Sequence, residues 1–315
     1  MTNQQLICGQ ERQRIRFDVK FVRSQLGFRS VFLKNISDFA RMEIEKKKES
    51  DTMSDNHLPE VWENPANMGG AWGGLNQPTA GARFEQKLPI GDKPLQLYSL
   101  GTPNGVKVTI LLEELRELGI ETADYDLYKI VIGEGDQFGS DFVALNPNSK
   151  IPVLLDQSES EAVSVFESAN ILLYLAEKFG HFLPTDSSQR TAVFNWLFWS
   201  AGAAPFLGGG FGHFFHYAPE KIEYPINRFA MEAKRQLDLL DKELAKRAYI
   251  AGDEYSIADI AIWSWYGQLA QDQLWPRAGQ FLNVQEYKNL QAWTEKIAQR
   301  PAVKRGLAVE YKSIK

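Results

Sequence analysis

Residues 101–105, "GTPNG", lie between an apolar segment and one with helical spacing, and their types suit a helix start that could bind an anion. Thr102 fits the N-cap, and Pro103 fits the first helical position, where its missing N–H was unpaired anyway. Asn104 and Gly105 follow, and N–H groups at such an end favour negative charge. The Thr102 hydroxyl and the Asn104 side chain are two further donors. The stretch is therefore either an ordinary cap or an anion site.

A second helix start has a related chemistry. Glu167 and Ser168 open the helical segment "SANILLYL". The Ser168 N–H suits a carboxylate and the Glu167 side chain suits an ammonium, although a plain N-cap would have the same residues. Upstream, Ile151–Pro152 directly precedes a strand, a position to which proline is confined, and this bond is a candidate for a cis peptide.

The chain's own sulfur chemistry is minimal. Cys8 is the only cysteine, which excludes a structural disulfide, a CxxC redox pair and a cysteine-rich metal site. His213 and His216 lie three apart with no acidic ligand close in sequence, so packing or substrate contact is predicted there and no metal. Low cysteine usage favours a reducing, cytoplasmic compartment.

The elements that position these residues follow from the spacing of apolar side chains. Residues 95–183 predict β-α-β and then β-β-α, with a short or missing helix near residues 135–147. Past residue 185 the strand patterns end and helices follow. Ser256 and Asp259 predict a capping box within them. This pattern favours a small α/β domain followed by an all-helical domain.

The glycine-rich stretch "LGGGFG" follows a helical segment and opens no strand–helix unit, so it is not a dinucleotide-binding loop. We expect it to bend a helix and to line a cleft with four aromatic residues, namely Phe206, Phe211, Phe214 and Tyr217.

Composition bounds the function classes. Of the 315 residues, 44% are hydrophobic and the net charge is −5, so no nucleic-acid partner is indicated, and no apolar run could span a bilayer. Residues 1–52 carry eleven Lys/Arg and seven Asp/Glu, a net +4. We interpret them as an extension upstream of a natural start at Met53, the alternative being a transit peptide. Residues 53–94 predict an arm in which Trp62 and Trp72 pack over the site.

Several stretches together resemble the cytosolic glutathione transferases, and within them the bacterial Nu class of disulfide-bond reductases. They are "LYSLGTPNGVKVTI", "GEGDQF", "NPNSKIPVL", "VFESANILLYLAEKFG", "GAAPFLGGGFGHF" and "YPINRFAMEAKR", and the resemblance covers roughly residues 53–306. It implies an α/β thioredoxin-like N-terminal domain over residues 95–183, an all-α C-terminal domain over residues 187–306, a short tail over residues 307–315, and a homodimer.

The resemblance also implies the site residues. Thr102 and Asn104 would stabilise a glutathione thiolate and are the candidate catalytic residues. Glu167 and Ser168 would hold the γ-glutamyl end of the tripeptide. The other candidate glutathione contacts are Asn76, Pro103, Gln137, Lys150, Ile151 and Arg228, of which Arg228 would reach a second glutathione. Relatives have Gln where this chain has Ala201, and they often extend further at the C-terminus.

The implied reaction is glutathione-dependent disulfide reduction, in which two bound glutathione molecules and one glutathione disulfide interconvert without a protein cysteine. The alternatives are conjugation of glutathione to electrophiles, reduction of organic peroxides, or a non-catalytic interaction module. The partners would be glutathione and small disulfide or electrophilic substrates. No metal is expected.

Overall fold

The computed structural model describes residues 59–65, 70, 73 and 75–315. The chain divides into two compact units, Met1–Asn64 and Pro65–Lys315, and the fold below is that of the second. Trp62, in the first unit, is 61% exposed. Cys8, Met53, Trp72 and the whole of residues 1–52 lie outside the described residues, so the interpretations placed on them stay predictions.

A five-stranded mixed sheet forms the first part of the second unit, with the order β4-β3-β1-β2-β5. Strand β1 pairs in parallel with β2 and antiparallel with β3, and β4 is an edge strand antiparallel to β3. The predicted order β-α-β and then β-β-α is confirmed, with two short 3₁₀ turns and a short helix in place of a full one near residues 135–147. The elements are β1 (Leu95–Ser99), α1 (Pro103–Glu117), β2 (Tyr125–Lys129), α2 (Ser140–Leu145), β3 (Val153–Asp156), β4 (Val163–Phe166) and α3 (Ser168–Phe179).

The C-terminal residues join this sheet, which the sequence pattern does not predict. Strand β5 (Lys312–Ser313) pairs in parallel with β2, and Lys312 forms an ion pair with Asp126. The segment is only two residues long, and so short a strand has too few side chains to show an alternating pattern. The chain end therefore lies against the far edge of the sheet from β4.

Helix α1 is the centre of the fold. Its residues 105–115 are all buried, including three charged ones, because the sheet lies on one side of it and the later helices on the other. The helical spacing of apolar residues in this segment is typical of an amphipathic helix with one exposed face, but the structure covers α1 on both sides. Glu114 is paired with Arg300, and Glu113 with Arg305, both arginines coming from the last helix and the residue before it. Buried carboxylates persist here because each has a cation partner.

The remainder of the unit is helical. The capping box is confirmed: Asp259 accepts hydrogen bonds from the Ser256 N–H at 3.1 Å and from the Trp293 indole N–H at 3.0 Å. The helices are α4 (Ser187–Pro205), its wide continuation (Phe206–Tyr217), α5 (Glu223–Leu244), α6 (Ile257–Ile262), a wide turn (Trp263–Gly267), α7 (Gln268–Ala270), α8 (Ala278–Phe281), α9 (Lys288–Ala298) and α10 (Pro301–Leu307).

The glycines of "LGGGFG" let aromatic rings approach the backbone. A Cβ at Gly208 would stand 2.5 Å from the Trp265 ring, and one at Gly212 would stand 2.2 Å from the Trp275 ring. Real side chains do not come so close, so only glycine allows the two indoles to occupy these places. The stretch therefore positions Trp265 and Trp275. Among the described residues, no helix is long and apolar enough to cross a membrane.

Candidate functional site

A cavity of about 890 Å³, the main cavity, lies between the start of α1, the start of α3 and the helical part. Thr102, Pro103 and Asn104 line it from one side, and Glu167 and Ser168 from another. The N-termini of two helices therefore open into one cavity. This is the arrangement that would let them hold different ends of one ligand. This arrangement brings the two predicted groups of residues together.

Thr102 is the N-cap of α1, as its position predicts. Its hydroxyl oxygen accepts a hydrogen bond from the Gly105 N–H at 3.2 Å. The expectation that the Gly105 N–H is left for a ligand is therefore wrong, because the cap already uses it. The Thr102 hydroxyl keeps its own proton to donate, since the cap occupies only a lone pair of the oxygen.

The Asn104 carboxamide is held by its oxygen. Asn104 Oδ1 accepts hydrogen bonds from Trp265 Nε1 and from Lys107 Nζ, each at 2.9 Å. Because both partners can only donate there, the oxygen must face them and the amide nitrogen must be at the opposite end of the group. No described residue accepts a hydrogen bond from that nitrogen. The side chain thus offers two N–H donors at the start of α1.

Lys107 was missed at the sequence level. It is 2% exposed, and its ammonium donates to Asn104 Oδ1 and, at 3.3 Å, to the Ser168 hydroxyl. Burial lowers the pKa of Lys107 to about 7, against the opposing influence of the Glu167 carboxylate, which raises it. A lysine at the fifth position of a helix resembles a surface residue, and only the burial of α1 on all sides reveals it. Trp265 was also missed, because its contact with Asn104 joins segments 161 residues apart.

The start of α3 is open to a ligand. Glu167 occupies the N-cap position but makes no side-chain cap, so the first N–H groups of α3 face the cavity without one. Its backbone has φ 69° and ψ 117°, a conformation that favours glycine. Strain of this kind is concentrated at functional sites, because the surrounding structure must hold it in place.

Two smaller cavities continue the main one. The side cavity, of about 180 Å³, shares Asn104, Glu167 and Ser168 with it and adds Lys150 and Ile151. The Ile151–Pro152 peptide at its edge is cis. The arm cavity, of about 270 Å³, shares Lys150 with the side cavity and has Asn76 in its wall. The three cavities form a row that would fit an extended peptide.

The arm that includes Asn76 is fixed to the α/β part. Backbone hydrogen bonds link the Arg83 N–H to the Phe138 carbonyl at 2.8 Å and the Ser140 N–H to the Phe84 carbonyl at 2.9 Å. The Arg83 guanidinium also lies 3.4 Å from the centre of the Phe138 ring. These contacts hold the segment beside the row of cavities.

Two residues that were predicted to contact glutathione do not line the row of cavities. Gln137 is buried, and its amide nitrogen donates to the Ile132 carbonyl at 3.2 Å, so it lines none of the three cavities. Arg228 lies on the exposed side of α5 and lines none of them either. The predicted contacts of both with glutathione stay predictions.

The predicted aromatic lining is largely wrong. Phe211 is fully buried in the core against Trp275, and Phe214 stacks on Phe229, so of the four expected residues only Tyr217 lines the main cavity. The other aromatic side chains that line it come from separate places in the chain, namely Phe198, Trp265 and Trp275. Helical folding turned the phenylalanines of the glycine-rich stretch away from the cavity.

Within the part of the chain that the structure describes, no group of His, Cys, Asp and Glu side chains could hold a metal ion. The charged groups of the row are the exposed Lys150, the buried Lys107, the Arg83 guanidinium and the Glu167 carboxylate, and hydroxyls and amides supply the other polar groups. They suit an organic ligand that carries carboxylates, an ammonium and an anionic atom near the start of α1.

Family models match both parts of the fold. The N-terminal domain of glutathione S-transferases matches residues 103–178, and the C-terminal domain of the same proteins matches residues 223–296. The disulfide-bond oxidoreductase YghU of Escherichia coli is 58% identical over 259 residues, which cover 82% of this chain and 90% of that protein.

Solved structures agree with these matches. A glutathione transferase YghU from Streptococcus pneumoniae, solved in complex with glutathione, has a TM-score of 0.82 and 71% identity, covering 82% of this chain and 99% of that one. A glutathione transferase family member from Pseudomonas fluorescens, solved with two glutathione molecules bound, has a TM-score of 0.63 and 36% identity, covering 69% of this chain and 94% of that one.

Proposed function

The chain belongs to the glutathione S-transferase family, and we propose that it is a glutathione-dependent disulfide-bond reductase whose reacting sulfur atoms all come from glutathione. The observation that carries this proposal is the start of α1. There the Thr102 hydroxyl and the Asn104 amide nitrogen are both available as donors, beside a helix N-terminus.

This helix end would activate a thiol. A free thiol has a pKa of about 8.5, and a helix N-terminus lowers it by stabilising the thiolate. Hydrogen bonds from Thr102 and Asn104 to the sulfur would add to this effect, since bonds to a charged acceptor are the strong ones. The protein would thereby raise the fraction of glutathione present as the nucleophile without supplying a thiol of its own.

The remaining contacts follow the row of cavities. The open start of α3, with Ser168, would bind the γ-glutamyl carboxylate, and Glu167 would bind the ammonium beside it. The Ile151 backbone would pair with the middle of the tripeptide, and Lys150 would meet the glycyl carboxylate. Asn76 would contact the same molecule from the arm. The resemblance adds Pro103 and Gln137 to this glutathione and Arg228 to a second one.

The reaction is two successive thiol–disulfide exchanges. The thiolate of the first glutathione attacks one sulfur of a disulfide substrate, a mixed disulfide forms, and the other sulfur leaves as a thiolate that takes up a proton. The thiolate of a second glutathione then attacks the glutathione sulfur of the mixed disulfide, which releases the second thiol product and forms glutathione disulfide. The substrate gains two electrons and the two glutathione molecules lose them. The Pseudomonas fluorescens relative holds two glutathione molecules, which supports this stoichiometry.

A second candidate function is transfer of glutathione to an apolar electrophile. Phe198, Trp265 and Trp275 give the main cavity an aromatic wall that would bind such a substrate. Reduction of organic peroxides would use the same thiolate.

A homodimer is also proposed from the resemblance, and Val163 and Phe166, exposed on the edge strand β4, are apolar side chains that a second copy would cover. The near absence of cysteine favours the cytoplasm.

Calorimetric titration with glutathione and with glutathione disulfide, followed by steady-state reduction of hydroxyethyl disulfide, tests the proposal. We expect both ligands to bind and turnover to require glutathione. An interaction module without catalysis would bind neither ligand. Faster turnover with an aromatic electrophile than with any disulfide would favour the transferase alternative.

A further inference from the structure

The buried amine of Lys107 links the two helix starts of the site. Its nitrogen lies 2.9 Å from Asn104 Oδ1 in the first turn of α1 and 3.3 Å from the hydroxyl of Ser168 in the first turn of α3. The Ser168 hydroxyl is itself 3.5 Å from Asn104 Oδ1. A single amine therefore contacts the residue proposed to stabilise the sulfur and the residue proposed to bind the γ-glutamyl end.

Burial of a lysine costs free energy that a purely structural role does not require. At 2% exposure it loses nearly all its hydration, and two neutral oxygens replace it only in part. Among the described residues no carboxylate forms an ion pair with it; Glu167, at the start of α3, is the charged group whose field reaches it. An apolar side chain of the same length would fill the space at lower cost.

We propose that Lys107 is a positioning residue of the glutathione site, which fixes the orientation of the Asn104 carboxamide so that its amide nitrogen is presented to the bound sulfur. The carboxamide has two ends of nearly equal size, and a donor at its oxygen selects which of them faces the ligand. Trp265 Nε1 supplies one such donor from the helical part, Lys107 supplies a second from within α1, and the Ser168 hydroxyl is a third, longer one at 3.5 Å. The inference rests on the proposed function.

The test uses the full chain with Lys107→Met, which keeps most of the unbranched side chain and removes the amine. Thr109→Val is the matched control, because Thr109 is fully buried on the same helix and its hydroxyl donates to the Gly306 carbonyl instead. The readouts are the pKa of bound glutathione, followed by thiolate ultraviolet absorbance, and the split between kcat and KM.

We expect Lys107→Met to raise the pKa of the bound thiol by about one unit, with about a tenfold fall in kcat at neutral pH and less than about a threefold change in the KM for glutathione. The melting temperature should not fall, because the variant no longer buries an amine. Thr109→Val should leave the thiol pKa at the wild-type value.

A double-mutant cycle with Asn104→Ala tests whether Lys107 acts on the bound sulfur through Asn104. If Lys107 acts through Asn104, Lys107→Met should change kcat by less than about twofold in the Asn104→Ala background. An equal loss in both backgrounds would overturn the positioning role, and so would a wild-type thiol pKa in Lys107→Met. If the wild-type chain itself leaves the pKa of glutathione at its ordinary value, the proposed function fails and this inference fails with it.

Discussion

Asn104 and Trp265 join the two parts of the fold at the site, because the indole nitrogen of Trp265 donates to Asn104 Oδ1 at 2.9 Å across a sequence separation of 161 residues. Asn104 belongs to the first turn of α1 and Trp265 to the wide turn after α6. The conformation of the proposed catalytic amide is therefore set by a residue of the helical part. This relationship predicts that changes far from α1 in sequence will alter chemistry at its start.

Replacing Trp265 with Phe keeps an aromatic ring at this position and removes the indole N–H together with part of the ring, a loss of volume that the control below shares. Loss of a neutral hydrogen bond of about 0.5–1.5 kcal/mol should lower kcat roughly two- to tenfold, while glutathione affinity by calorimetry changes little. Trp263→Phe is the control, because that indole donates to the Thr294 carbonyl at 3.1 Å, away from the cavity. Equal effects of the two changes on kcat would contradict the relationship.

Gly208→Ala should also disturb the Asn104 amide, because it displaces the Trp265 indole that donates to it. The new methyl would stand 2.5 Å from the Trp265 ring, so the ring must move. We expect a loss of stability of about 1–3 kcal/mol by denaturant unfolding and a lower kcat. Gly202→Ala is the control, because a Cβ there meets nothing within 4 Å. A Gly208→Ala variant with wild-type stability and turnover would show that the close approach is unimportant.

The sequence predicted the parts of the fold and of the candidate site that depend on local structure. The cap at Thr102, the helix start at Ser168 and the capping box of Asp259 are all signalled by residues within one helical turn, and all are present. The cavity walls could not be predicted in this way. Trp265 reaches the site only because Gly208 admits its ring, and this contact between distant segments has no local signal.

Lys107 is a second residue whose place in the structure has no local signal in the sequence. Apolar spacing along α1 predicts one buried face and one exposed face, and a lysine would normally be assigned to the exposed one. The lysine is contacted by Ser168 of α3, 61 positions away, and the charged residues Glu114 and Glu113 of the same helix are covered by Arg300 and Arg305, 186 and 192 positions away. Burial of the lysine is therefore a tertiary property, and so is the low pKa that follows from it.

Thr102→Ala should lower turnover more than glutathione binding, because the hydroxyl acts on the charge of the attacking sulfur. Loss of a hydrogen bond to a charged acceptor, about 1.5–3 kcal/mol, corresponds to roughly ten- to a hundredfold in kcat. The Gly105 N–H would also lose its cap, which should reduce stability by about 0.5–2 kcal/mol. Thr102→Ser keeps both functions of the hydroxyl and should restore most of the activity and stability. Steady-state kinetics and thermal unfolding measure the two effects, and a Ser variant as impaired as the Ala variant would contradict this account.

Glu167 combines backbone strain with a proposed contact to glutathione, and two substitutions separate the two effects. Glu167→Gly should raise stability by about 1 kcal/mol, because glycine adopts φ 69° without strain, and it should weaken glutathione binding because the carboxylate is gone. Glu167→Gln keeps the strain and should weaken binding without a gain in stability. Calorimetric titration and thermal unfolding of both variants provide the measurement. Wild-type affinity in both would remove Glu167 from the site.

In the proposed reaction, every reacting sulfur belongs to glutathione or its substrate and none to the protein. Since Cys8 is the only cysteine, the Cys8→Ser chain contains no thiol at all. The most direct measurement is the rate at which this variant reduces hydroxyethyl disulfide with saturating glutathione, compared with the wild-type chain. The account predicts equal turnover, with glutathione disulfide formed in equal amount to the disulfide consumed. A large loss of activity on removal of Cys8 would contradict it.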